Sequence, residues 1–189
     1  MTTKLSNVNS EGLAEPYRSL SFLPQDCLLK SRDGQSKLLL TQDPKLLLRL
    51  ATKVDIDDLF LLCKSFNEDA HYGFEIDEAY AKAFLFNHII NPERLSLLLE
   101  KDGKVEGALL AICSWHPFLR IRMANELMWW INPSARGKES IRMLDAYEYW
   151  AHFEQKADAI YLASTTDERV AKLYARRGYT KKEQAWSRN

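Results

Sequence analysis

The sequence predicts an α/β domain in which strands and helices alternate from Leu46 onward. Three observations predict it. Residues 126–144, ELMWWINPSARGKESIRML, read as an apolar strand, a turn opened by Pro133, an Arg136-Gly137 pair and an amphipathic helix. RLSLLLEKDGKVEGALLAICSWH holds two apolar runs around Lys-Asp-Gly-Lys, the pattern of a hairpin. AIYLAS followed by DERVAKLYARRGY reads as a buried strand and then a helix.

The elements follow in order. Residues 1–45 are polar and turn-rich, interrupted by Pro16, Pro24 and Pro44, yet they carry Leu20, Phe22, Leu23, Leu28, Leu29 and Leu38–Leu40. Disordered leaders are poor in such residues, so this stretch reads as an arm that packs on its own domain or on a partner. LLLRLA is a short strand. Asp55 is placed to cap a helix through Phe66, with Leu59, Leu62, Cys63 and Phe66 at helical spacing. NEDAHYGFEID reads as a polar loop, and Glu78–Ile90 as a second helix with Tyr80, Phe84 and His88 on one stripe. The hairpin follows, then a strand over 122–132, a helix over 138–153, a strand over 159–164, a helix over 167–177 and a last strand over 179–186.

Composition excludes several classes. The 189 residues carry 26 basic and 26 acidic side chains for a net charge of zero, which disfavours a general nucleic-acid surface. The basic cluster Arg169, Lys172, Arg176, Arg177, Lys181, Lys182 and Arg188 reads as a solvated helix face, or as a positive rim near cofactor phosphates or an acidic partner. No apolar run reaches the ~20 residues of a membrane span, and MTTKLSNVNSEG lacks the basic start and apolar block of a signal peptide. Cys27, Cys63 and Cys113 have neither paired nor metal-ligand spacing, so no metal is expected, and the reading is a cytoplasmic, reducing location.

The strand-turn-helix at 126–144 places the backbone N–H groups of Arg136, Gly137, Lys138, Glu139 and Ser140 at a helix N-terminus. Such a terminus has unpaired donors and the positive end of the helix dipole, and it suits a phosphate. The segment resembles the central motif of the GNAT superfamily of N-acetyltransferases, with Ile131, Pro133, Arg136 and Gly137 in register. DERVAKLYARRGY resembles that family's second segment, through Leu173, Tyr174, Gly178 and Tyr179. The resemblance covers about residues 46–185 and is that of a phage or bacterial member with a variant cofactor loop. It implies a GNAT fold (α+β), a mixed, mostly antiparallel sheet flanked by helices, as a domain at 46–189 behind the arm of residues 1–45. It also implies two neighbouring strands, 122–132 and 159–164, that splay to admit the pantetheine arm of acetyl-CoA.

The implied activity is direct transfer of acetyl from acetyl-CoA to a primary amine, on a small molecule or a protein. Such a transfer needs a base for the amine, donors for the oxyanion and an acid for the thiolate. By resemblance, Tyr174 is the acid and Glu126 the base, while Ile131, Arg136, Gly137, Lys138, Glu139, Ser140, Ile141 and Asp167 line the cofactor. Glu126 also reads as a solvent-facing strand residue, and Tyr174 as a packed helix aromatic. Glu68, Asp69, His71 and Glu75 of the polar loop, and His116, are further candidates for the substrate mouth. The sequence departs from the family's pattern at Glu139, Ile141 and Asp167, which add bulk or negative charge. Arg136, Lys138 and the helix dipole oppose that charge by roughly 0.3–1 kcal/mol each. The alternative function is a GNAT-fold protein without turnover, a structural or interaction subunit of a larger assembly such as a virion, held through residues 1–45. Homo-oligomerisation is compatible with either.

Overall fold

The hairpin at the centre of the chain turns on Asp102 and Gly103, both in the left-handed region at φ 51° and 79°. That two-residue Asp-Gly turn matches the right-handed twist of the strands it joins. It connects β3 (Arg94–Lys101) to β4 (Lys104–Trp115), and Lys101 faces Lys104 across it. The computed structural model describes residues 37–38, 46–71, 73–163 and 168–182, with backbone alone for 37, 38 and 138–140. They fall into two compact units, one within residues 25–163 and one that holds 168–182.

The larger unit is built on one six-stranded sheet in sequence order. β1 (Lys37–Leu38), β2 (Leu46–Leu50), β3, β4 and β5 (Arg122–Ile131) pair antiparallel, and β6 (Ala159–Tyr161) joins β5 in parallel. The sheet therefore begins at Lys37, inside the stretch read as an arm; the rest of residues 1–45 lies outside the described residues.

Helices α1 (Ile56–Ala70) and α2 (Glu78–Ile90) cover one face. Leu59 and Leu62 of α1 and Leu85 of α2 form one apolar cluster with Leu98, Ala108, Leu110 and Met128 of the sheet. Strand side chains alternate, so Leu97 and Leu99 point to the other face. Both are fully buried, and α3 (Lys138–Tyr149), with Met143, Leu144 and Tyr147 at zero exposure, packs on β3 and β4 there. Fully burying each such side chain contributes about 1.5–3 kcal/mol.

Two bulges shape the sheet. One leaves Glu106 of β4 unopposed, between Val105 and Gly107. The other leaves Leu127 of β5 unopposed, between Glu126 and Met128. Gly107 faces Ile131 at the end of β5, where an added Cβ would lie 2.8 Å from Ile131 Cγ1 and 3.1 Å from the Trp130 carbonyl oxygen. Overpacking of this kind costs about 1–3 kcal/mol. Gly107→Ala is expected to lower the urea midpoint by a corresponding amount with an unchanged slope.

Several sequence expectations need correction. α1 runs to Ala70 rather than Phe66, and His71 closes it in the left-handed region at φ 52°. Glu68 and Asp69 thus sit on a helix, not in the loop. Asp55 occupies the position before α1 but donates no cap to it; its carboxylate instead accepts from Arg49 and Thr52. β6 stops at Tyr161, short of residue 164, and the helix after β5 passes into a π turn at Trp150–Glu154. Residues 179–182 form no strand, and 183–186 lie outside the described residues.

Candidate active site

Strand β5 and strand β6 pair only over Met123–Asn125 with Ala159–Tyr161. β5 runs on to Ile131, whereas β6 ends, so the two part immediately after Asn125. Glu126 is the first residue beyond the last pair. Its Oε2 accepts the backbone N–H of Ala163 at 3.0 Å, which bridges the mouth of the notch. The neighbouring bulge at Leu127 adds local twist to β5 at this point. From the other side, the Tyr147 hydroxyl of α3 donates to the Tyr161 carbonyl at 2.9 Å and fixes the end of β6.

Burial raises the Glu126 carboxyl to about 7, with the Ala163 hydrogen bond acting in the opposite direction. A carboxyl at that value exchanges protons near neutral pH, as a general base must. Perturbed carboxyls of this kind gather at functional sites.

The end of β5 leads into a braced turn. Asn132 accepts from Trp130 Nε1 at 3.3 Å, and its Nδ2 donates to Glu106 Oε2 at 2.9 Å. The unopposed Glu106 also receives the Asn132 N–H through its carbonyl. Pro133–Ala135 make a 3₁₀ turn, and Lys101 Nζ holds the Ser134 carbonyl at 3.0 Å. Arg136 folds back along the strand: its Nε donates to the Ile131 carbonyl at 2.9 Å and its guanidinium lies 4.9 Å from the Trp130 ring centre. The Arg136 side chain therefore fastens the turn, and its backbone leads into Gly137 and the start of α3 at Lys138.

Gly137 is outside the left-handed region, and an added Cβ would meet nothing within 4 Å. Neither backbone conformation nor the protein's own packing calls for glycine here; open space above a helix N-terminus is what a closely approaching phosphate group uses. Lys138, Glu139 and Ser140 form the first turn of the helix, Ile141 is half-buried behind them, and Ile131 is 6% exposed as a core residue at the strand end. Asp167 lies outside the described residues.

Tyr174 belongs to the smaller unit, on α4 (Glu168–Arg176), where it is buried. Gly178, at φ 87°, ends this helix by letting the chain reverse. The Tyr179 N–H then bonds the Tyr174 carbonyl at 3.1 Å, and the two rings sit 6.0 Å apart. The basic side chains Arg169, Lys172 and Arg176 are exposed, with Lys172 near Glu168. His116 organises its own loop, its Nδ1 accepting from the Phe118 and Leu119 N–H groups. Glu68, Asp69, His71 and Glu75 are all exposed. The sequence carried no signal for the Leu127 bulge, the Tyr147 anchor or the Ala163 donor.

Solved structures share this architecture. A predicted acetyltransferase with acetyl-CoA from Clostridium acetobutylicum superposes with a TM-score of 0.66 at 18% identity, over 76% of this chain and 96% of that one. A GNAT family acetyltransferase from Staphylococcus aureus gives 0.56 at 22% identity, over 77% and 98%. The chain has the GNAT fold. A ribosomal-protein-alanine N-acetyltransferase from Brucella melitensis shares it at a TM-score of 0.58 and 16% identity, over 76% and 98%. No family model and no curated protein matches the chain in sequence. The mixed, mostly antiparallel sheet flanked by helices agrees with the GNAT expectation. No helix among the described residues is long and apolar enough to cross a membrane, and no cluster of three metal-ligating side chains occurs among them.

Proposed function

We propose that the protein is an acetyl-CoA-dependent N-acetyltransferase acting on a primary amine of a small molecule or a protein. The observation that carries this reading is Glu126, a carboxyl of neutral-range acidity placed where β5 and β6 part, on the strand that leads into the turn before α3. Acetyl-CoA, when bound, supplies an activated acetyl thioester. The N–H groups of Gly137, Lys138, Glu139 and Ser140 would hold its phosphates, aided by the dipole of α3. The wedge beyond Asn125 would take the pantetheine arm against the free edge of β5. Glu126, in its ionised form, accepts the proton of the attacking amine. Tyr174 is assigned the proton for the departing thiolate on the strength of the sequence segment alone. Burial raises the Cys63 thiol to about 11, which suits a packed residue better than a nucleophile.

Calorimetric titration of acetyl-CoA tests the reading. Micromolar binding is expected, and Gly137→Asp is expected to weaken it by at least about tenfold through charge and bulk at the phosphate position. Because a side chain at Gly137 meets open space, the melting temperature of that variant should equal that of the parent. Absence of heat with the parent protein at millimolar cofactor would overturn the proposal and favour the role as an assembly subunit.

A further inference from the structure

Helix α2 and the start of β3 border an open surface concavity of about 730 Å³, none of whose lining residues belongs to the β5–β6 notch or the turn after β5. Tyr80, Phe84 and Ile90 supply apolar walls, and Asn87, Asn91 and Arg94 supply the polar groups. Its size lies in the range of small-molecule sites.

Arg94 is the informative residue. Its guanidinium sits 5.8 Å from the Phe84 ring centre, its Nε is buried without a hydrogen-bond partner, and none of its side-chain nitrogens bonds a described residue. The Nε is shut off from water, so the Nη edge is the part of this cation that an anion entering the concavity can meet. The adjacent carboxylate, Glu93, is committed to Arg122 at 3.0 Å. His88, tilted against Phe84 with ring centres 5.5 Å apart and bonded through Nδ1 to the Ser96 hydroxyl, stays neutral, because burial and then the charge of Arg94 hold it near 4. Asn91 uses its Oδ1 to accept the Glu93 N–H, which leaves its Nδ2 as a second donor.

We infer that this concavity binds a small organic monocarboxylate with an aryl or branched-alkyl body, its carboxylate on Arg94 and Asn91 and its body against Tyr80, Phe84 and Ile90. A planar guanidinium beside an aromatic ring offers the fork that a carboxylate takes in bidentate fashion. The apolar walls select against small inorganic anions, which have no surface to bury. The inference does not depend on the acetyl-transfer reading, since it uses neither Glu126 nor the helix N-terminus.

Phenylacetate is the probe. Titrated to about 10 mM against the full-length protein, it is expected to give saturable shifts of the Arg94 Nε–H and of the Asn87 and Asn91 side-chain amides in nitrogen–proton correlation spectra. Phenylacetamide, its neutral isostere, should bind at least about tenfold more weakly, and so should phenylacetate to Arg94→Gln. Tyr80→Ala removes an exposed wall and should weaken binding with the fold intact, which guards against a misfolded Arg94 variant. Absence of saturable shifts, equal binding of the amide, or unchanged affinity in Arg94→Gln would overturn the inference. Tighter binding of a hexapeptide with a free C-terminal phenylalanine would also overturn it, and would assign the site to peptide C-termini.

Discussion

Glu126→Gln is expected to lower acetyl transfer by about 10²–10⁴-fold, the usual worth of a positioned general base. The glutamine keeps an oxygen for the Ala163 N–H, so the notch retains its shape while the proton acceptor is lost. In the parent protein the rate should rise with pH through about 7, as the carboxyl ionises, and level off above it. The variant should lose that inflection. The measurement is CoA release against pH with a saturating amine, and an unaltered profile in Glu126→Gln would remove the residue from the mechanism.

The same substitution carries a stability signature of opposite sign. The carboxyl titrates near 7 in the folded protein, above its ordinary value of 4.5, because burial disfavours the charge. The native state thus holds its proton more tightly than the unfolded chain. The cost to stability is absent below about 4.5, grows between 4.5 and 7 and is complete above that. Glu126→Gln should therefore raise the melting temperature at pH 8 and leave it nearly unchanged at pH 4, the exchange of stability for activity expected of a working site.

Asp55→Ala is expected to cost about 3–5 kcal/mol of folding stability, the range for removing one partner of a buried ion pair. Arg49 reaches Asp55 through two hydrogen bonds of 2.8 and 2.7 Å and Glu100 through a third of 2.8 Å. The side chains of Arg49 and Asp55 are only 15% and 5% exposed, so solvent does not replace the lost partner. Asp55 also accepts the Thr52 N–H at 2.7 Å and its hydroxyl at 2.9 Å. One carboxylate thus joins the end of β2 to the entry of α1. Glu100 still faces Arg49 in the variant, which places the loss toward the lower end of the range. Arg49→Met combined with Asp55→Leu should recover much of it, because an apolar pair leaves no buried charge.

The pH dependence of this network follows from the direction of the Asp55 shift. Burial pushes its carboxyl up, but the hydrogen bonds from Arg49 and Thr52, together with the Arg49 charge, more than offset it and hold it below the ordinary 3.8. The folded protein binds that proton less tightly than the unfolded chain. The contribution is complete above about 3.8 and lost as pH falls below it. Acid unfolding monitored by circular dichroism should therefore begin at a higher pH in Asp55→Asn than in the parent protein.

Much of the scaffold was legible in the chain because it rests on short-range rules. Asp102 and Gly103 specify their turn by tolerating positive φ, and Asp77 caps α2 by accepting the Tyr80 N–H three residues on. The α2 bounds came out as read, since the cap and the polar Asn91-Pro92 that follows are local. The end of α1 did not. Nothing near Phe66 breaks a helix, and the stop is set by His71 adopting a left-handed conformation that Asn67 supports by bonding the Phe74 carbonyl at 2.9 Å.

Glu126 shows where sequence reading stops. On an alternating strand a carboxylate reads equally as a solvent-facing residue and as a base, because alternation reports a face and not the water on it. By itself the sequence determined a GNAT-like order of strands and helices, the hairpin turn, the bounds of α2 and the turn that follows Ile131, each a matter of neighbours within a few residues. Tertiary structure alone decided that the expected parting of β5 and β6 begins after Asn125, that Ala163 meets Glu126 across the gap, and that Arg49, Asp55 and Glu100 share one buried site. Those outcomes depend on residues 37 or 51 positions apart excluding water together, and the proton affinity of a carboxyl is set by that exclusion rather than by its neighbours in the chain.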